Sequence, residues 1–234
     1  MKSTKVASTS SENEPSETNV PRMPVQQRSQ QRVEAALAVA ERMVEAWGPE
    51  RISIPEIAKA ADVPRASLYQ FFPDKYALLA RITEMHLTRL TEALAERALK
   101  QSTESSYSDW IGALIDATAN YYDTHPAARI LVLGGPYSHA AYLAQANMMA
   151  TIGGVLRSAT ELKIPGVRVP QSPDVATLAV EIAFACMKHG YHQEGGITPA
   201  IRAQAVTAVV AYAEASIPGL AKAFKAGKKQ GANA

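Results

Sequence analysis

Apolar residues recur every three or four positions along most of this chain, a spacing that predicts amphipathic helices. The first stripe predicts a helix that begins at Gln27 or Arg28 and ends at Trp47, where Gly48-Pro49 follows. A longer helix is predicted from Lys75 to about Gln101, because its stripe recurs at Leu79, Ile82, His86, Leu90 and Leu94.

The same periodicity continues to the C-terminal part of the chain, with no pattern typical of a strand. Helices are predicted at Tyr107 to Thr124, between His125-Pro126 and Gly134-Gly135-Pro136, at Ser138 to Ala159, at Asp174 to His192 and at Thr198 to Ser216. The stretch from Ser102 to Ser108 is a polar break between helices, and a loop rich in proline is predicted from Lys163 to Pro173. The pattern therefore predicts an all-α fold.

A short helix is predicted just after the first long one. Ser53 and Glu56 form a capping box, in which the Ser53 hydroxyl accepts from the Glu56 N–H and the Glu56 carboxylate accepts from the Ser53 N–H. Pro64 disfavours helical geometry at Val63, and Asp62 tolerates a left-handed turn. The helix therefore ends near Ala61.

A second short helix fits Arg65 to Phe72, with Leu68 and Phe72 one turn apart on its inner face. Asp74 can cap the long helix that follows. Two short helices joined by a tight turn form a helix-turn-helix, whose second helix enters the major groove of DNA.

Composition divides the chain into four segments. Residues 1–27 contain few large apolar side chains and are expected to be disordered, residues 28–82 hold the helix-turn-helix, residues 83–220 form a larger helical domain, and residues 221–234 form a basic tail. The stretch 51–81 has five basic and three acidic side chains, whereas 83–220 has nine basic and twelve acidic ones. This asymmetry suits a small DNA-reading module joined to a domain with another task.

The remaining composition indicates a cytoplasmic protein. The chain of 234 residues has one cysteine, Cys186, so an intrachain disulfide is excluded, and no apolar run is long enough for a signal peptide or a membrane span. No nucleophile elbow, phosphate loop or metal-ligand quartet is present, so neither an enzyme nor a cofactor is expected.

From about residue 28 to 82 the sequence resembles the DNA-binding domain of the tetracycline-repressor (TetR) family. The motifs IAKAA, Val-Pro, Ser-Leu-Tyr, Phe-Pro-x-Lys and Ala-Leu-Leu occur in the family's order between Ser53 and Leu79. Asp62 stands where glycine is usual, and Phe71 stands where His or Tyr is frequent.

The resemblance implies a set of DNA contacts. Arg65 and Gln70 would read bases, since Arg pairs with guanine O6 and N7 and Gln with adenine N6 and N7. Ala66 would let the helix approach the groove, while Tyr69 and Lys75 would contact phosphates. The complete predicted set is Ser53, Pro64, Arg65, Ala66, Ser67, Tyr69, Gln70 and Lys75. Arg22 and Arg28 are open to two interpretations, a minor-groove arm or an idle tail.

The larger domain offers weaker signals. An apolar ligand cavity could be lined by Trp110, Tyr121, Tyr122, Tyr142 and Met149, although ordinary core packing would give the same spacing. His189, His192 and Glu194 share a helix end, but a fourth ligand is not evident, so no metal site is predicted. The Ala- and Val-rich helices at 174–192 and 198–216 resemble the pair through which the family forms homodimers.

Together these features predict a dimeric transcriptional regulator of double-stranded DNA. The preferred hypothesis is a repressor that binds a near-palindromic operator and is released by an apolar or aromatic small molecule. One alternative is an activator or architectural DNA-binding protein whose large domain binds a protein partner and no small ligand. A second is a helical small-molecule-binding or enzymatic domain that merely retains the motif.

Overall fold

The computed structural model describes residues 25–100, 106–217, 219–220 and 223, and the regular elements in these ranges are all helical. The helices are α1 (Val25–Trp47), α2 (Ile54–Ala60), α3 (Arg65–Phe71), α4 (Lys75–Leu99), α5 (Tyr107–Thr124), α6 (Pro126–Ala128), α7 (His139–Lys163), α8 (Val175–Glu194) and α9 (Pro199–Ser216). A 3₁₀ turn, Pro49–Arg51, follows α1, and a π-helical turn, Arg129–Leu133, follows α6. The predicted all-α class is confirmed.

Helix boundaries differ from the predictions in a few places. Because α1 begins at Val25, the last three residues of the segment expected to be disordered are helical. Helix α7 continues beyond Ala159 to Lys163, since Leu162 and Lys163 favour a helix and only Pro165 prevents its continuation. Residues 1–24, 101–105 and most of the basic tail lie outside the described residues, so the predictions made for them stay predictions.

Short polar side chains set the start of most long helices. Asp74 Oδ1 accepts from the Ala77 N–H at 2.8 Å, Ser106 Oγ from the Asp109 N–H at 3.1 Å, and Ser138 Oγ from the Ala141 N–H at 3.1 Å. Asp174 and Thr198 cap α8 and α9 in the same way. Each cap satisfies a backbone N–H that has no partner inside its own helix.

The apolar stripes meet in two cores that share helix α4. The first core combines α1, α2 and α3 with the first turns of α4, and includes Leu68, Leu78 and Ile82. The second core begins at Leu87 of α4 and includes side chains from α5 and from α7 to α9. One continuous helix therefore supplies side chains to both the helix-turn-helix core and the core of the larger domain.

The segment after α5 also contributes to both cores. Ala127 and Leu131 are buried with the helix-turn-helix, whereas Ala128, Val132 and Leu133 are buried with the larger domain. Successive residues can face opposite sides in this way because the chain is helical there, and the π turn widens the helix locally.

Polar contacts join the helices of the larger domain. Arg157 of α7 donates to Asp174 at the start of α8 at 2.5 Å, and Arg202 of α9 donates to Asp123 of α5 at 2.8 Å. Gly153 of α7 lies so close to α8 that an added Cβ would be 2.8 Å from the Thr177 Cα. Among the described residues, none of the helices is long and apolar enough to cross a membrane.

Candidate nucleic-acid interface and regulatory cavity

The turn between α2 and α3 has the geometry that its sequence predicts. Asp62 adopts a left-handed φ of 53°, and the Val63 N–H donates to the Ala58 carbonyl at 3.0 Å. Val63 is buried beneath the turn. The turn thus fixes the direction of α3, because Asp62 replaces the glycine that such a backbone usually needs.

Helix α3 has a buried face and a face exposed to solvent. Leu68 is fully buried, and Phe72 directly after the helix is 6% exposed, which confirms their predicted core positions. The exposed predicted contacts are Pro64, Arg65, Ala66, Tyr69 and Gln70, with Ser67 partly buried beside them. The helix therefore presents the proposed reading residues to solvent while its inner face holds it on the core.

Arg65 and Tyr69 contact each other on the exposed face. Arg65 Nη2 donates to the Tyr69 hydroxyl at 3.3 Å, and the Arg65 guanidinium carbon lies 5.3 Å from the centre of the Tyr69 ring. A residue four positions ahead on a helix lies directly above its partner, so this pairing follows from the spacing. The spacing of Arg65 and Tyr69 in the sequence therefore allows this contact, although the separate DNA contacts predicted for the two residues did not include it.

Lys75 has a structural contact in addition to its predicted role at phosphate. Its Nζ donates to the carbonyl of Glu50 at 2.7 Å and to the carbonyl of Pro49 at 3.3 Å. The ammonium thus ties the start of α4 to the 3₁₀ turn after α1. An ammonium has three donors, so one remains for a phosphate.

Ser53 caps α2 as predicted, but the Glu56 carboxylate accepts from a different donor than the capping box predicts. The Glu56 N–H donates to Ser53 Oγ at 3.4 Å. The Glu56 carboxylate, however, accepts from the Ser53 hydroxyl at 2.7 Å, where a bond from the Ser53 N–H was expected. A hydroxyl can donate and accept at once, so a single side chain serves both groups.

Two exposed aromatic residues accompany the predicted contacts. Phe71 at the end of α3 is 47% exposed, and Tyr76 in the first turn of α4 is 44% exposed. Singly exposed apolar residues are common on protein surfaces, so only the position of these two beside the predicted DNA contacts distinguishes them. Helical periodicity alone assigns such residues to a face and does not tell whether that face is covered.

The second core contains a cavity of about 100 Å³ between α4, α5, α7, α8 and α9, which is partly open to solvent. Three of the five predicted ligand contacts line it, namely Trp110, Tyr122 and Met149. None of the lining side chains is charged. The Trp110 indole Nε1 is buried and has no hydrogen-bond partner among the described residues.

The other two residues predicted to contact a ligand, Tyr121 and Tyr142, do not line this cavity, and their role in ligand binding stays a prediction. Tyr142 is 56% exposed near the start of α7, where its ring stacks on that of His139. Tyr121 lies one helix position away from the cavity residue Tyr122 and faces His86 and His125. Adjacent residues of a helix point about 100° apart, so only one of the two tyrosines can face the cavity.

Tyr121 belongs to a polar group between the two cores, which we call the His86 cluster (Glu41, His86, Tyr121 and His125). The Tyr121 hydroxyl is 2.9 Å from His86 Nδ1, and His86 Nε2 is 3.4 Å from Glu41 Oε1. The His125 ring stacks on Tyr121 with ring centres 4.1 Å apart. The cluster thus connects α1 to α4 and α5.

Burial dominates the electrostatics of the His86 cluster. His86 is 3% exposed, and burial, with the positive charge of Arg89 and His125 nearby, lowers its pKa to about 4. Burial also raises the pKa of Glu41. His86 is therefore neutral at pH 7. Its Nε2 is buried and has no hydrogen-bond partner among the described residues, although Glu41 Oε1 is 3.4 Å away.

A further contact joins the helix-turn-helix core to α6. Glu45 Oε1 of α1 accepts from the backbone N–H of Ala127 at 3.3 Å. An N–H in the first turn of a helix has no intrahelical acceptor, so an external carboxylate satisfies it. The sequence gives no sign of this contact, because Glu45 and Ala127 are 82 positions apart.

The outer faces of α8 and α9 expose small and apolar side chains. Leu178, Ala185 and His189 of α8 are exposed, and Ile182 between them is partly buried. On α9 the exposed residues include Ala203, Thr207 and Ala211. In the described part of the chain no group of three His, Cys, Asp or Glu side chains is placed to hold a metal ion, and Glu194 accepts instead from the Thr198 hydroxyl at 2.6 Å.

Comparisons with known proteins agree with a helix-turn-helix joined to a larger helical domain. Residues 36–82 match the family of bacterial regulatory proteins called tetR. Over 92 residues the chain is 33% identical to the HTH-type transcriptional repressor NemR of Escherichia coli strain K12. That match covers 39% of this chain and 45% of the repressor, so it spans less than half of the relative's length.

The fold is shared over a much longer stretch. A TetR-family transcriptional regulator from Streptomyces coelicolor superposes with a TM-score of 0.62 and 19% identity, over 79% of this chain and 99% of that one. The SmeT–triclosan complex superposes with a TM-score of 0.56 and 17% identity, over 78% and 91% of the two chains. At these identities the likeness establishes the fold, including that of the larger domain.

Proposed function

We propose that this chain, whose residues 36–82 match the family of bacterial regulatory proteins called tetR, is a transcriptional repressor. As a homodimer it binds a near-palindromic operator in the cytoplasm and leaves it when a small molecule enters the cavity. The observation that carries the proposal is that one chain has both an exposed face on α3 and an apolar cavity in its second core.

Residues of α3 contact the bases of the operator. Arg65 and Gln70 are exposed and carry the donors that pair with guanine and adenine in the major groove. Ser67 and the small Ala66 allow close approach, while Tyr69, Lys75 and the cap residue Ser53 contact phosphates and fix the register. Pro64 starts the helix at the groove edge.

Dimerisation uses the exposed faces of α8 and α9. A dimer with two-fold symmetry presents two α3 helices to successive major grooves about 34–36 Å apart, so its operator is a near-palindrome. The small side chains Ala185, Ala203 and Ala211 let helices of two protomers approach closely, as a four-helix bundle requires.

Helix α4 connects the cavity to the helix-turn-helix. Its Leu90 and Leu94 line the cavity, whereas Leu78 and Ile82 of the same helix belong to the helix-turn-helix core. A ligand that binds better to a conformation with α4 displaced shifts the population towards that conformation and moves the two α3 helices out of register. The structural neighbour SmeT forms a complex with triclosan, which supports a small-molecule ligand for this chain as well.

The direct test is a mobility-shift assay with the full chain and the DNA upstream of its own gene. We expect a specific shift that random DNA of equal length does not compete away. Absence of a shift at low salt contradicts the proposal, because low salt favours even weak phosphate contacts.

A thermal-shift screen with apolar and aromatic compounds separates the repressor from an activator whose large domain binds only a protein. A cavity ligand raises the melting temperature in proportion to its occupancy. Stabilising compounds that also release the operator support the repressor.

A further inference from the structure

The exposed side of α3 has two flanks that differ in chemistry. Successive residues of a helix point about 100° apart, so Ala66 and Gln70 lie on the side opposite the buried Leu68. On one flank of this outward row, Arg65 Nη2 donates to the Tyr69 hydroxyl at 3.3 Å. That flank can therefore donate and accept hydrogen bonds.

The other flank of α3 ends in Phe71. Its side chain is 47% exposed and belongs to neither of the two apolar cores. Ser67, one turn earlier on the same flank, is partly buried. Single exposed apolar residues are common, so exposure alone does not set Phe71 apart. Its place next to Gln70 does, because α3 presents there a large apolar group that the fold does not use.

The chemistry of the ring limits what it can contact on DNA. Phenylalanine has no hydrogen-bond donor or acceptor, so it cannot bond to a phosphate or to the polar atoms of a base. In the major groove the base edges present donors, acceptors and one apolar group, which is the C5-methyl group of thymine. Contact between the ring and this methyl group removes apolar surface of both partners from water.

From this arrangement we propose that Phe71 is a specificity-determining residue that contacts the C5-methyl group of a thymine in each half of the operator. The inference rests on the proposed function, since it requires α3 in the major groove. Adjacent Cα atoms are about 3.8 Å apart and adjacent base pairs about 3.4 Å. The thymine therefore lies on the base pair that Gln70 contacts or on a neighbouring one.

The test removes one methyl group from the DNA at a time. The full-length protein is titrated with its operator, found by footprinting the DNA upstream of its own gene, and with duplexes in which single thymines are replaced by deoxyuridine. Deoxyuridine pairs with adenine as thymine does and lacks only the methyl group. We expect at least one thymine per half-site at which the replacement raises Kd by about fourfold, and by about fifteenfold when both half-sites are changed.

Variants of Phe71 assign the sensitive methyl group to this side chain. Phe71→Ala and Phe71→Gln remove the apolar contact, so deoxyuridine at the same position should then change Kd by less than about twofold. Phe71→Leu keeps an apolar side chain and should retain most of the effect. The melting temperature should stay within about 2 °C in all three variants, because the ring lies outside both cores.

Tyr76→Ala is the matched control. Tyr76 is another exposed aromatic residue, 44% exposed in the first turn of α4, and it lies outside α3. This variant should keep the full effect of deoxyuridine at the sensitive thymine, even if its own affinity for DNA changes.

Three results overturn the inference. The first is an operator at which no thymine is sensitive to loss of its methyl group. The second is equal sensitivity in the wild type and in Phe71→Ala. The third is an equal loss of affinity for operator and random DNA in Phe71→Ala, which assigns the ring to the sugar–phosphate backbone. Specific operator binding together with any of these leaves the proposed function intact, whereas absence of specific binding to the upstream DNA removes both.

Discussion

The Arg65 guanidinium lies over the Tyr69 ring, 5.3 Å from its centre, and its Nη2 donates to the Tyr69 hydroxyl at 3.3 Å. Both side chains are exposed on α3 in the absence of DNA. A long side chain that is already ordered loses less entropy on binding. Tyr69 therefore acts as a support for the residue proposed to read a base.

Tyrosine 69 should affect both affinity and specificity, in separable ways. Tyr69→Phe keeps the ring beneath Arg65 and removes the hydroxyl that is proposed to contact phosphate and that accepts from Arg65 Nη2. It should weaken binding to operator and random DNA, with a smaller change in their ratio than Tyr69→Ala. Tyr69→Ala also removes the support and should reduce the operator-to-random affinity ratio, by about 0.5–1 kcal/mol for an exposed cation–π contact. Fluorescence anisotropy with both duplexes measures the ratio. An unchanged ratio in Tyr69→Ala argues against a supporting role.

Arginine 65 and lysine 75 should differ in the kind of binding they supply. Arg65→Ala should relax sequence preference by about 1–3 kcal/mol at one base pair, whereas Lys75→Ala should weaken binding to all sequences and flatten the salt dependence. Lys75→Ala should also lower the free energy of unfolding, because its bonds to the Pro49 and Glu50 carbonyls are lost. Lys59→Ala, an exposed lysine of α2, is the control for charge alone.

The neighbouring glycines of α7 should respond in opposite directions to alanine. A Cβ at position 153 would lie 2.4 Å from Thr177 Oγ1 and 2.8 Å from the Thr177 backbone, whereas a Cβ at position 154 meets nothing within 4 Å. Gly153→Ala should destabilise by about 1–3 kcal/mol through overpacking. Gly154→Ala should stabilise by up to about 1 kcal/mol through helix propensity. Urea unfolding of both variants checks the pair, and equal effects would refute the close contact.

Histidine 86 should make the protein less stable in acid. Its pKa is about 4 in the folded state and near 6.5 when unfolded, so the unfolded chain takes up the proton first. The effect is absent above about pH 6.5, grows as the pH falls, and is complete below about pH 4, where it reaches about 3 kcal/mol.

The measurement is the free energy of unfolding from pH 7 to 4 in the wild type and two variants. In His86→Gln the free energy of unfolding should fall less steeply as the pH decreases, because the contribution of the imidazole is absent. Glu41→Gln, which removes the adjacent carboxylate and keeps the ring, should retain it. A wild-type slope that survives His86→Gln unchanged would assign the acid sensitivity to other groups.

A charge on the exposed face of α8 should prevent dimerisation. Ala185→Glu places like charges opposite each other across the two-fold axis of the proposed dimer. Sedimentation equilibrium should show monomers, with operator affinity lowered accordingly. Ala38→Glu, at an exposed alanine of α1, should stay dimeric. A dimer that survives Ala185→Glu places the interface elsewhere.

Local features of the sequence predict most of the helix-turn-helix. Asp62 and Pro64 define the turn, Ser53 and Asp74 cap their helices, and Leu68 with Phe72 marks the buried face, because each effect acts within a few residues of its cause. Most of the predicted DNA contacts thus fall on or next to the exposed face of α3, whereas Ser53 and Lys75 lie at the starts of α2 and α4. Their role in binding stays a prediction.

The residues that line the cavity were only partly predictable, for a physical reason. Tyr121 and Tyr122 have nearly identical sequence surroundings, yet Tyr122 lines the cavity and Tyr121 bonds to His86. Helical periodicity fixes the angle between two neighbours and not which neighbouring helix each one meets. Tyr142 shows the same limit, since it lies on a predicted helix but on its uncovered side.

The helices, their caps and the two-helix reading motif follow from the amino-acid sequence alone, because they depend on contacts between residues less than two turns apart. Three other features emerge only from the folded chain: α4 belongs to both cores, Glu45 meets Ala127, and the cavity is small and uncharged. Such features arise where helices distant in sequence pack together, and the shape of that packing depends on all their side chains at once.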